Sequence, residues 1–497
     1  MVPPSPVPSP TAQGARTPPR TSRSAMLVAA GILCSKLAGL VRLRVFAYFF
    51  GLRSDAADAF MAAFRIPNVL QNLFGEGALS ASFIPVYASL LAKGDEEEAT
   101  RVAGAVAALL ALISGILVLI GIAATPWLVM IIAPGFAGAK RELTITVVRI
   151  LFPGAGLLVM SAWCLGILNS HHKFLLSYTA PVLWNAAMIA TLIIFGPHRA
   201  LPHLAVILAW ASVAGSALQF GVQVPFVLKI VPHLRVMFDT TNEDVRTVIR
   251  NFVPAFVSRG VVQVSSYVDA LLASLLPTGV VTGLVNAQIL YTLPVSLFGM
   301  SVSAAELPAM SGAAGLSETG VIRRRLDAGL RQIAFFVVPS TMAFLALGDI
   351  VAAAILQTGR FTHQDAVYVW AILAGASVGL LASTLGRLYS STYYAIQDTR
   401  TPLNYAVIRI ALTTGLGYVA AIVLPPMIGI PARWGVVGLT ATAGLSAWVE
   451  FTLLRRTLNA RIGRTGVPVG YAARLWAAAA AGAAVAWAIK LSIPFSQ

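Results

Sequence analysis

The chain has 497 residues, of which 58% are hydrophobic and 11% charged, with a net charge of +16 and a mean hydropathy of +0.81. Soluble globular domains carry about 25% charged residues, so this composition excludes a soluble protein and indicates one that crosses a membrane many times. Both cysteines, Cys34 and Cys164, lie in apolar stretches, and no HExxH or CxxC motif occurs. Nothing in the sequence therefore predicts a metal site or a disulfide framework.

The chain begins with a Pro-, Ser- and Arg-rich stretch of 24 residues that predicts a disordered tail. Apolar segments long enough to span a bilayer follow. They lie at about 25–50, 58–91, 102–133, 146–168, 174–195, 203–230, 248–276, 280–312, 333–356, 366–394, 403–424, 434–454 and 471–493. They predict an all-α polytopic membrane protein with about 13 transmembrane helices, within a range of about 12 to 14.

Lys and Arg residues are distributed unequally between the two alternating sets of loops that join these segments. The set that includes the tail holds 20 of them, and the other set holds 7. Because cytoplasmic loops carry the excess of basic residues in membrane proteins, we expect the amino terminus to be cytoplasmic. This topology signal accounts for most of the net charge, so we expect no nucleic-acid partner.

An internal repeat relates two stretches of the chain. IPNVLQNLFGEGALSASFIP (66–85) resembles LPVSLFGMSVSAAELP (293–308), since each has a proline, then LFG, small residues and another proline. The two segments stand six apart in order, which predicts parallel repeats: two six-helix lobes around a central cleft. We predict a cytoplasmic tail at 1–24, an N-terminal lobe at 25–230, a cytoplasmic linker at 231–247, a C-terminal lobe at 248–457 and an additional helix at 471–493.

Charged residues interrupt the apolar segments, and the basic ones are in excess. The basic residues are Lys36, Arg42, Arg44, Arg65, Arg149, Arg259, Arg387 and Arg409, and the acidic ones are Asp58, Glu76, Asp269, Glu306 and Glu450. A charge near the bilayer centre costs about 2.5–3.5 kcal/mol on insertion scales, so such residues line wet cavities or bind charged groups. A cation-rich interior predicts an anionic ligand, especially a phosphate.

Two of these cations, Arg42 and Arg44, are two residues apart and face nearly opposite sides of a helix. We expect Arg44 to reach the outer interface. Arg42, together with Lys36, is the better functional pair.

Three stretches carry a specific family resemblance. They are SKLAGLVRLRVFAYFFG (35–51), ADAFMAAFRIPNVLQNLFGEGALSASFIPVYASLL (57–91) and YTLPVSLFGMSVSAAELPAMS (291–311). They resemble the MurJ (MviN) lipid II flippases of the multidrug/oligosaccharidyl-lipid/polysaccharide exporter superfamily. The resemblance implies a transporter, not an enzyme, that carries the undecaprenyl-diphosphate-linked peptidoglycan precursor across the bacterial inner membrane for cell-wall synthesis. It also implies alternating access, driven by the membrane potential or an ion gradient, with no cofactor.

The resemblance assigns substrate binding to particular residues. The first-helix cations of the family match Lys36 and Arg42, and its acids match Asp58 and Glu76. We add Arg259 as a hypothetical replacement charge in the C-terminal lobe. The implied partners are lipid II and membrane lipids, the expected state is a monomer, and cell-wall synthesis proteins are candidates for further partners.

The chain departs from the family pattern at two basic positions. A basic pair common in the second helix is Gln71-Asn72 here, and an arginine common before the LPxxLFG motif is Ile289. These departures leave open a degenerate relative that does not transport.

Two other classes of function also stay open. Another exporter of the superfamily, either an oligosaccharide-lipid flippase or a drug/cation antiporter, would share the fold, but drug exporters favour acids in the cavity. A polytopic membrane transferase would usually carry paired aspartates or a sizeable extramembrane loop. The acidic run at 95–98 lies in a short loop and is typical of a solvated connector.

Overall fold

The structure, a computed structural model, describes residues 20–171, 173–315 and 318–492, and the side chains of Glu76 and Arg259 are not among those it describes. The described part of the chain is all-helical, which confirms the predicted fold class. Residues 1–19 of the disordered tail predicted at 1–24 lie outside the described residues, whereas residues 20–24 are helical and form the start of the first helix.

The first seven helices pack mainly on one another. They are α1 (Arg20–Phe50), α2 (Asp55–Asn72), α3 (Ser80–Lys93), α4 (Glu96–Ile132), α5 (Gly138–Ser170), α6 (Phe174–Phe195) and α7 (Leu201–Ile230). Helix α5 lies at the centre of this group and contacts α2, α4 and α7, while α1 packs on α6.

The remaining helices form a second group. They are α8 (Glu243–Ser274), α9 (Val280–Pro294), α10 (Ser301–Gly315), α11 (Thr319–Leu356), α12 (His363–Ser377), α13 (Leu380–Ala395), α14 (Arg400–Tyr418), α15 (Leu424–Met427), α16 (Gly435–Ile462) and α17 (Val469–Ser492). Helix α16 packs on α12, α13 and α14, and α11 packs on α12, α13 and α17.

Helix α8 joins the two groups. It contacts α3 and α4 of the first group and α9 and α14 of the second. Near its start, the rings of Phe252 and Phe256 lie 5.5 and 5.0 Å from that of Phe74. This aromatic cluster attaches the first part of α8 to the N-terminal helices. Asn242 begins α8 because its side chain accepts hydrogen bonds from the next backbone N–H groups.

Nine helices among the described residues are long and apolar enough to cross a membrane, or ten if the bent pair α12–α13 forms one span. A total of about 13 therefore stays a prediction. Helices α1, α2 and α8 are not among the nine, and all three carry charged residues within predicted spans. These are Lys36, Arg42 and Arg44 in α1, Asp58 and Arg65 in α2, and Asp269 in α8.

The two copies of the repeated motif share an unusual local structure. A π-helical segment, Leu73–Leu79, separates α2 from α3, and another, Val295–Met300, separates α9 from α10. Each contains the LFG residues of the motif. Short π-helical segments widen the helix and are frequent at functional sites. The internal repeat seen in the sequence is therefore also a structural repeat.

Candidate functional site

A cavity of about 450 Å³ lies between the two groups of helices, where α1 and α2 face α9. Its apolar walls come from leucine and phenylalanine side chains such as Leu43 and Phe60. Its polar lining consists of Lys36, Arg42, Arg65, Asn68, Gln288, Thr292 and Ser296. No aspartate or glutamate with a described side chain lines it, so the cavity is electropositive. Such a site favours an anion.

Arg42 contributes its guanidinium to this cavity from the last third of α1. The guanidinium Nε donates a hydrogen bond of 3.0 Å to Oδ1 of Asn185 in α6. Its central carbon lies 4.8 Å from the ring centroid of Trp184 and 5.6 Å from that of Phe64. An amide and two aromatic rings therefore hold this cation without cancelling its charge.

Arg65 reaches the cavity from α2 and bridges to the other group of helices. Its guanidinium donates a hydrogen bond to Oε1 of Gln288 in α9. Its backbone carbonyl accepts a hydrogen bond of 2.9 Å from the hydroxyl of Tyr267 in α8. Arg65 was identified from the sequence as an intramembrane cation but was not selected as a site residue.

Lys36 lies at the cavity, six residues before Arg42 in α1, and is exposed. Within the described part of the chain it forms no hydrogen bond or ion pair. Its ammonium group is therefore free to meet a ligand. The structure thus brings the predicted pair Lys36 and Arg42 together in one cavity and adds Arg65 to them.

Arg44 faces away from the cavity, as the helical spacing predicts. Its guanidinium donates hydrogen bonds of 2.6 and 3.2 Å to the backbone carbonyls of Ala354 and Ile355. These carbonyls lie in the last turn of α11, where helix carbonyls lack partners and carry partial negative charge. Arg44 therefore fastens α1 to the end of α11.

Asp58 lies away from the cavity lining, buried with 1% of its surface exposed, near the start of α2. Its Oδ2 accepts hydrogen bonds of 2.8 Å from Lys140 Nζ and 2.8 Å from the backbone N–H of Gly279. Its Oδ1 accepts 2.9 and 2.7 Å bonds from the N–H and hydroxyl of Thr282. Gly279 has φ of 95° and directly precedes α9. The Asp58 carboxylate therefore caps the positive end of α9 from the opposite group of helices.

Lys140 completes this arrangement from the start of α5. Besides Asp58, it lies 3.3 Å from Asp55 and 3.4 Å from the hydroxyl of Thr278, and it packs 4.3 Å from the ring of Phe136. The Thr278 hydroxyl, donating to Asp55 at 2.7 Å, lowers the pKa of that carboxyl, and Lys140 lowers it further. We call Asp58, Lys140, Thr278, Gly279 and Thr282 the Asp58 latch.

Other contacts close the same end of the molecule. Arg53 and Asp365 form an ion pair of 3.1 Å between the two groups of helices. The backbone N–H of Arg360 donates a 3.0 Å hydrogen bond to the carbonyl of Tyr48. Both links join the end of α1 to the segment around the start of α12. The latch end is thus fastened by several contacts between the groups.

The predicted substrate residues therefore have different surroundings. Lys36 and Arg42 line the cavity. Among the described residues, the side-chain hydrogen bonds of Asp58 are all made inside the latch, so its substrate role stays a prediction. Glu76 and Arg259 lie outside the residues whose side chains the structure describes. The described residues contain no group of three or more His, Cys, Asp or Glu side chains placed to hold a metal ion.

Sequence reasoning missed the residues that support the cations. Asn185 and Trp184 lie in an apolar segment with no motif around them. Lys140, which supports Asp58, lies in a stretch that the sequence predicts to be a loop, although the structure places it at the start of α5. Gln288 had a signal, because it lies beside Ile289, where the family commonly has an arginine. Within the C-terminal helices, Arg409 and Glu450 form a further ion pair of 3.0 Å.

Comparison with known proteins identifies related chains. The family model described as Lipid II flippase MurJ matches residues 46–495. The Lipid II flippase MurJ of Burkholderia cenocepacia is 32% identical over 445 residues, covering 88% of this chain and 84% of that protein. The Probable lipid II flippase MurJ of Vibrio cholerae is 29% identical over 449 residues, covering 88% and 83%.

Solved structures show the same fold. A lipid II flippase MurJ in an inward closed conformation superposes with a TM-score of 0.77 at 22% identity, covering 95% of this chain and 94% of that one. An inward-facing multidrug resistance transporter of the MATE family gives 0.69 at 19% identity, covering 88% and 98%.

Proposed function

This chain belongs to the lipid II flippase MurJ family, and on that basis we propose that it carries lipid II across the membrane. The observation that carries the proposal is the cavity with three cations, Lys36, Arg42 and Arg65, and no acid among its described lining residues. The diphosphate of lipid II is an anion that guanidinium and ammonium groups bind through charge-assisted hydrogen bonds. Its polyprenyl chain would stay in the bilayer.

We place the latch end at the outer face of the membrane. The latch lies beside the loops that are poor in Lys and Arg, and such loops face away from the cytoplasm. The amino terminus would then be cytoplasmic, in a multi-pass protein of the bacterial inner membrane. With the latch closed, the cavity would be shut off from the outside.

The cavity contacts suggest an order of events. Lys36, which is exposed, would meet the diphosphate first. Arg42 would add its fixed guanidinium. Arg65 would exchange its neutral partner Gln288 for a phosphate oxygen, which removes one bond between the two groups of helices. Substrate binding would thereby favour the state in which the groups separate at the latch end and release lipid II outside.

Transport in this scheme needs no hydrolysed cofactor and no metal. A membrane potential that is negative inside favours outward movement of an anion by about 2.3 kcal/mol per elementary charge per 100 mV. The membrane potential would therefore directly favour outward movement of the negative diphosphate. We therefore assign the protein as a transporter and not an enzyme, working as a monomer, with the membrane potential or an ion gradient as the driving force.

A genetic rescue tests the proposal. Bacterial cells depleted of their own lipid II flippase should grow when they express the wild-type chain and should lyse when they express Arg42→Ala. Arg149→Ala is the matched control, because Arg149 is an exposed intramembrane arginine outside the cavity lining, and this variant should support growth. Lysis with wild-type protein present at normal level in the membrane would refute the function.

An exporter of cationic drugs would fit the same fold. The cavity argues against it, since the three lining cations would repel a cationic substrate. A flippase for another diphosphate-linked oligosaccharide shares the chemistry of lipid II at the diphosphate. Rescue of peptidoglycan synthesis distinguishes the two.

A further inference from the structure

Two neighbouring residues of α6 hold the guanidinium of Arg42 from different sides. Asn185 accepts the Nε–H at 3.0 Å in the plane of the guanidinium, and Trp184 lies against it at 4.8 Å. Asn185 is 5% exposed. No motif marks either residue, and neither belongs to the cavity lining, so both act on the cavity through Arg42.

Each of these two residues is itself fixed in position. The amide nitrogen of Asn185 donates a 3.0 Å hydrogen bond to the carbonyl of Pro181, which turns its oxygen toward Arg42. The indole N–H of Trp184 donates to the carbonyl and hydroxyl of Ser212 in α7, at 3.1 and 3.2 Å. The orientation of Arg42 is therefore set by contacts that reach into the packing of α6 on α7.

We propose that Asn185 and Trp184 are positioning residues that preorganise Arg42 for a diphosphate. An arginine side chain loses rotamer freedom when it binds, and supports that restrict it beforehand reduce that cost. Nε donates to Asn185, one terminal nitrogen points at Sδ of Met188 at 4.0 Å, and Trp184 covers one face. The other terminal N–H groups are available for phosphate oxygens. This inference rests on the proposed function, because it assumes that Arg42 binds the diphosphate of the substrate.

The neutrality of Asn185 is the discriminating feature. An amide oxygen holds the guanidinium but leaves its charge available to an anion. An aspartate at the same place would hold it more strongly and would neutralise the charge. Asn185→Asp should therefore lower substrate affinity by cancelling the charge of Arg42, and Asn185→Ala should lower it by removing the support. A purely structural role predicts that both variants, when folded, bind as wild type does.

The test uses the full-length protein in lipid nanodiscs, with lipid II as the probe. Binding affinity and thermal unfolding temperature are measured for wild type, Asn185→Asp, Asn185→Ala and Trp184→Leu. We expect each variant to bind lipid II about tenfold more weakly, the scale of one hydrogen bond to a charged group. Trp184→Phe, which keeps an aromatic face, should retain most of the affinity even if Trp184→Leu unfolds.

Two exposed residues of α6 and α7 serve as matched controls. Leu183→Ala in α6 and Trp210→Leu in α7 alter residues that are 40% and 58% exposed and lie outside the cavity lining. Both should bind lipid II as wild type does.

Two results separate this inference from the proposed function. If Arg42→Ala weakens binding but folded Asn185→Asp, Asn185→Ala and Trp184→Leu bind as wild type does, the positioning role is overturned and the function stands. If Arg42→Ala itself binds lipid II normally, the proposed substrate site fails as well. An unfolding temperature that falls in proportion to affinity across the Asn185 variants would also overturn the positioning role.

Discussion

The carboxylate of Asp58 in α2 accepts a 2.8 Å hydrogen bond from the backbone N–H of Gly279. Gly279 directly precedes α9, which belongs to the second group of helices. One residue of the N-terminal helices therefore caps a helix of the C-terminal group. The bond is buried and charge-assisted, so it is a strong contact. It also depends on the two groups staying together at this end, as expected of a gate.

Asp58→Asn should open the latch more often. The carboxylate accepts from four donors, whereas an amide would turn its own N–H groups toward some of them. Loss of one charge-assisted bond shifts such an equilibrium by about tenfold. Met61→Cys, in a chain whose native cysteines are replaced, should then react faster with an impermeant maleimide added at the latch end. Asp239→Asn, in the exposed connection before α8, is the control and should leave that rate unchanged.

Lys140 and Arg141 form a natural pair for a second prediction. Lys140 contacts Asp58 and Asp55, whereas the one ion pair of its neighbour Arg141 within the described part of the chain is a loose one of 3.6 Å with Glu142. Lys140→Met should raise labelling of the cysteine at position 61, because Asp58 loses its counter-ion. Arg141→Met should not. Equal labelling of the two variants would show that Lys140 is not part of the latch.

Gln288 should tolerate a neutral replacement but not a charged one. Gln288→Met removes the acceptor of Arg65 and leaves the cavity cationic, so lipid II affinity should stay within about twofold of wild type, less than the effect of one hydrogen bond. Gln288→Glu would pair with Arg65 across the cavity, cancel its charge and reduce affinity by about tenfold. A binding titration in nanodiscs measures both, and similar affinities for the two variants would count against a role for the charge of Arg65.

The stability of the packing of α17 against α11 should depend on one ion pair. Lys490 donates to Asp349 of α11, and Asp349 is 7% exposed with its second oxygen unpartnered among the described residues. Lys490→Met leaves the buried carboxylate of Asp349 without its counter-ion, so it should lower the unfolding temperature in detergent. Arg474→Met, near the other end of α17, should not. Adding Asp349→Asn to Lys490→Met should restore part of the loss, and a double variant that is no more stable would argue against the pair.

The stabilising contribution of Asp398, in the connection between α13 and α14, should be lost at low pH. Burial opposes ionisation of Asp398, but hydrogen bonds from Thr401 and the ion pair with Arg461 outweigh it and lower its pKa to about 2. A depressed pKa stabilises the fold above the unfolded value of 3.8, and the gain is lost as pH falls toward 2. Asp398→Asn should therefore lower the unfolding temperature at pH 7, and the difference from wild type should shrink below pH 4. A difference that is constant with pH would contradict this assignment.

The fold class could be predicted from the sequence because apolar segments and their repeat depend on local composition. The repeated LFG motif even marked both π-helical segments, Leu73–Leu79 and Val295–Met300. Lys36 and Arg42 could be placed at the site because charge inside an apolar segment is itself a signal. The total number of spans was harder to predict, since the charged helices α1, α2 and α8 do not resemble ordinary spans.

The latch and the supports of Arg42 could not be predicted for a different reason. Asp58 contacts backbone N–H groups more than 200 residues away in sequence, and a backbone donor has no residue-specific signature. Asn185 has an ordinary neutral side chain, and it matters because it accepts a hydrogen bond from Arg42 in another helix. Such contacts appear only when the helices are packed together.

Translocation by purified protein tests the central claim most directly. Proteoliposomes containing wild-type chain should move lipid II from one leaflet to the other, measured by the fraction that an impermeant enzyme can modify. Lys36→Ala, Arg42→Ala and Arg65→Ala should each reduce the rate by about tenfold or more, as expected for loss of a charge-assisted contact, while Arg149→Ala should match wild type. Wild-type rates for all three cavity variants would contradict the assignment of this cavity as the path of the diphosphate.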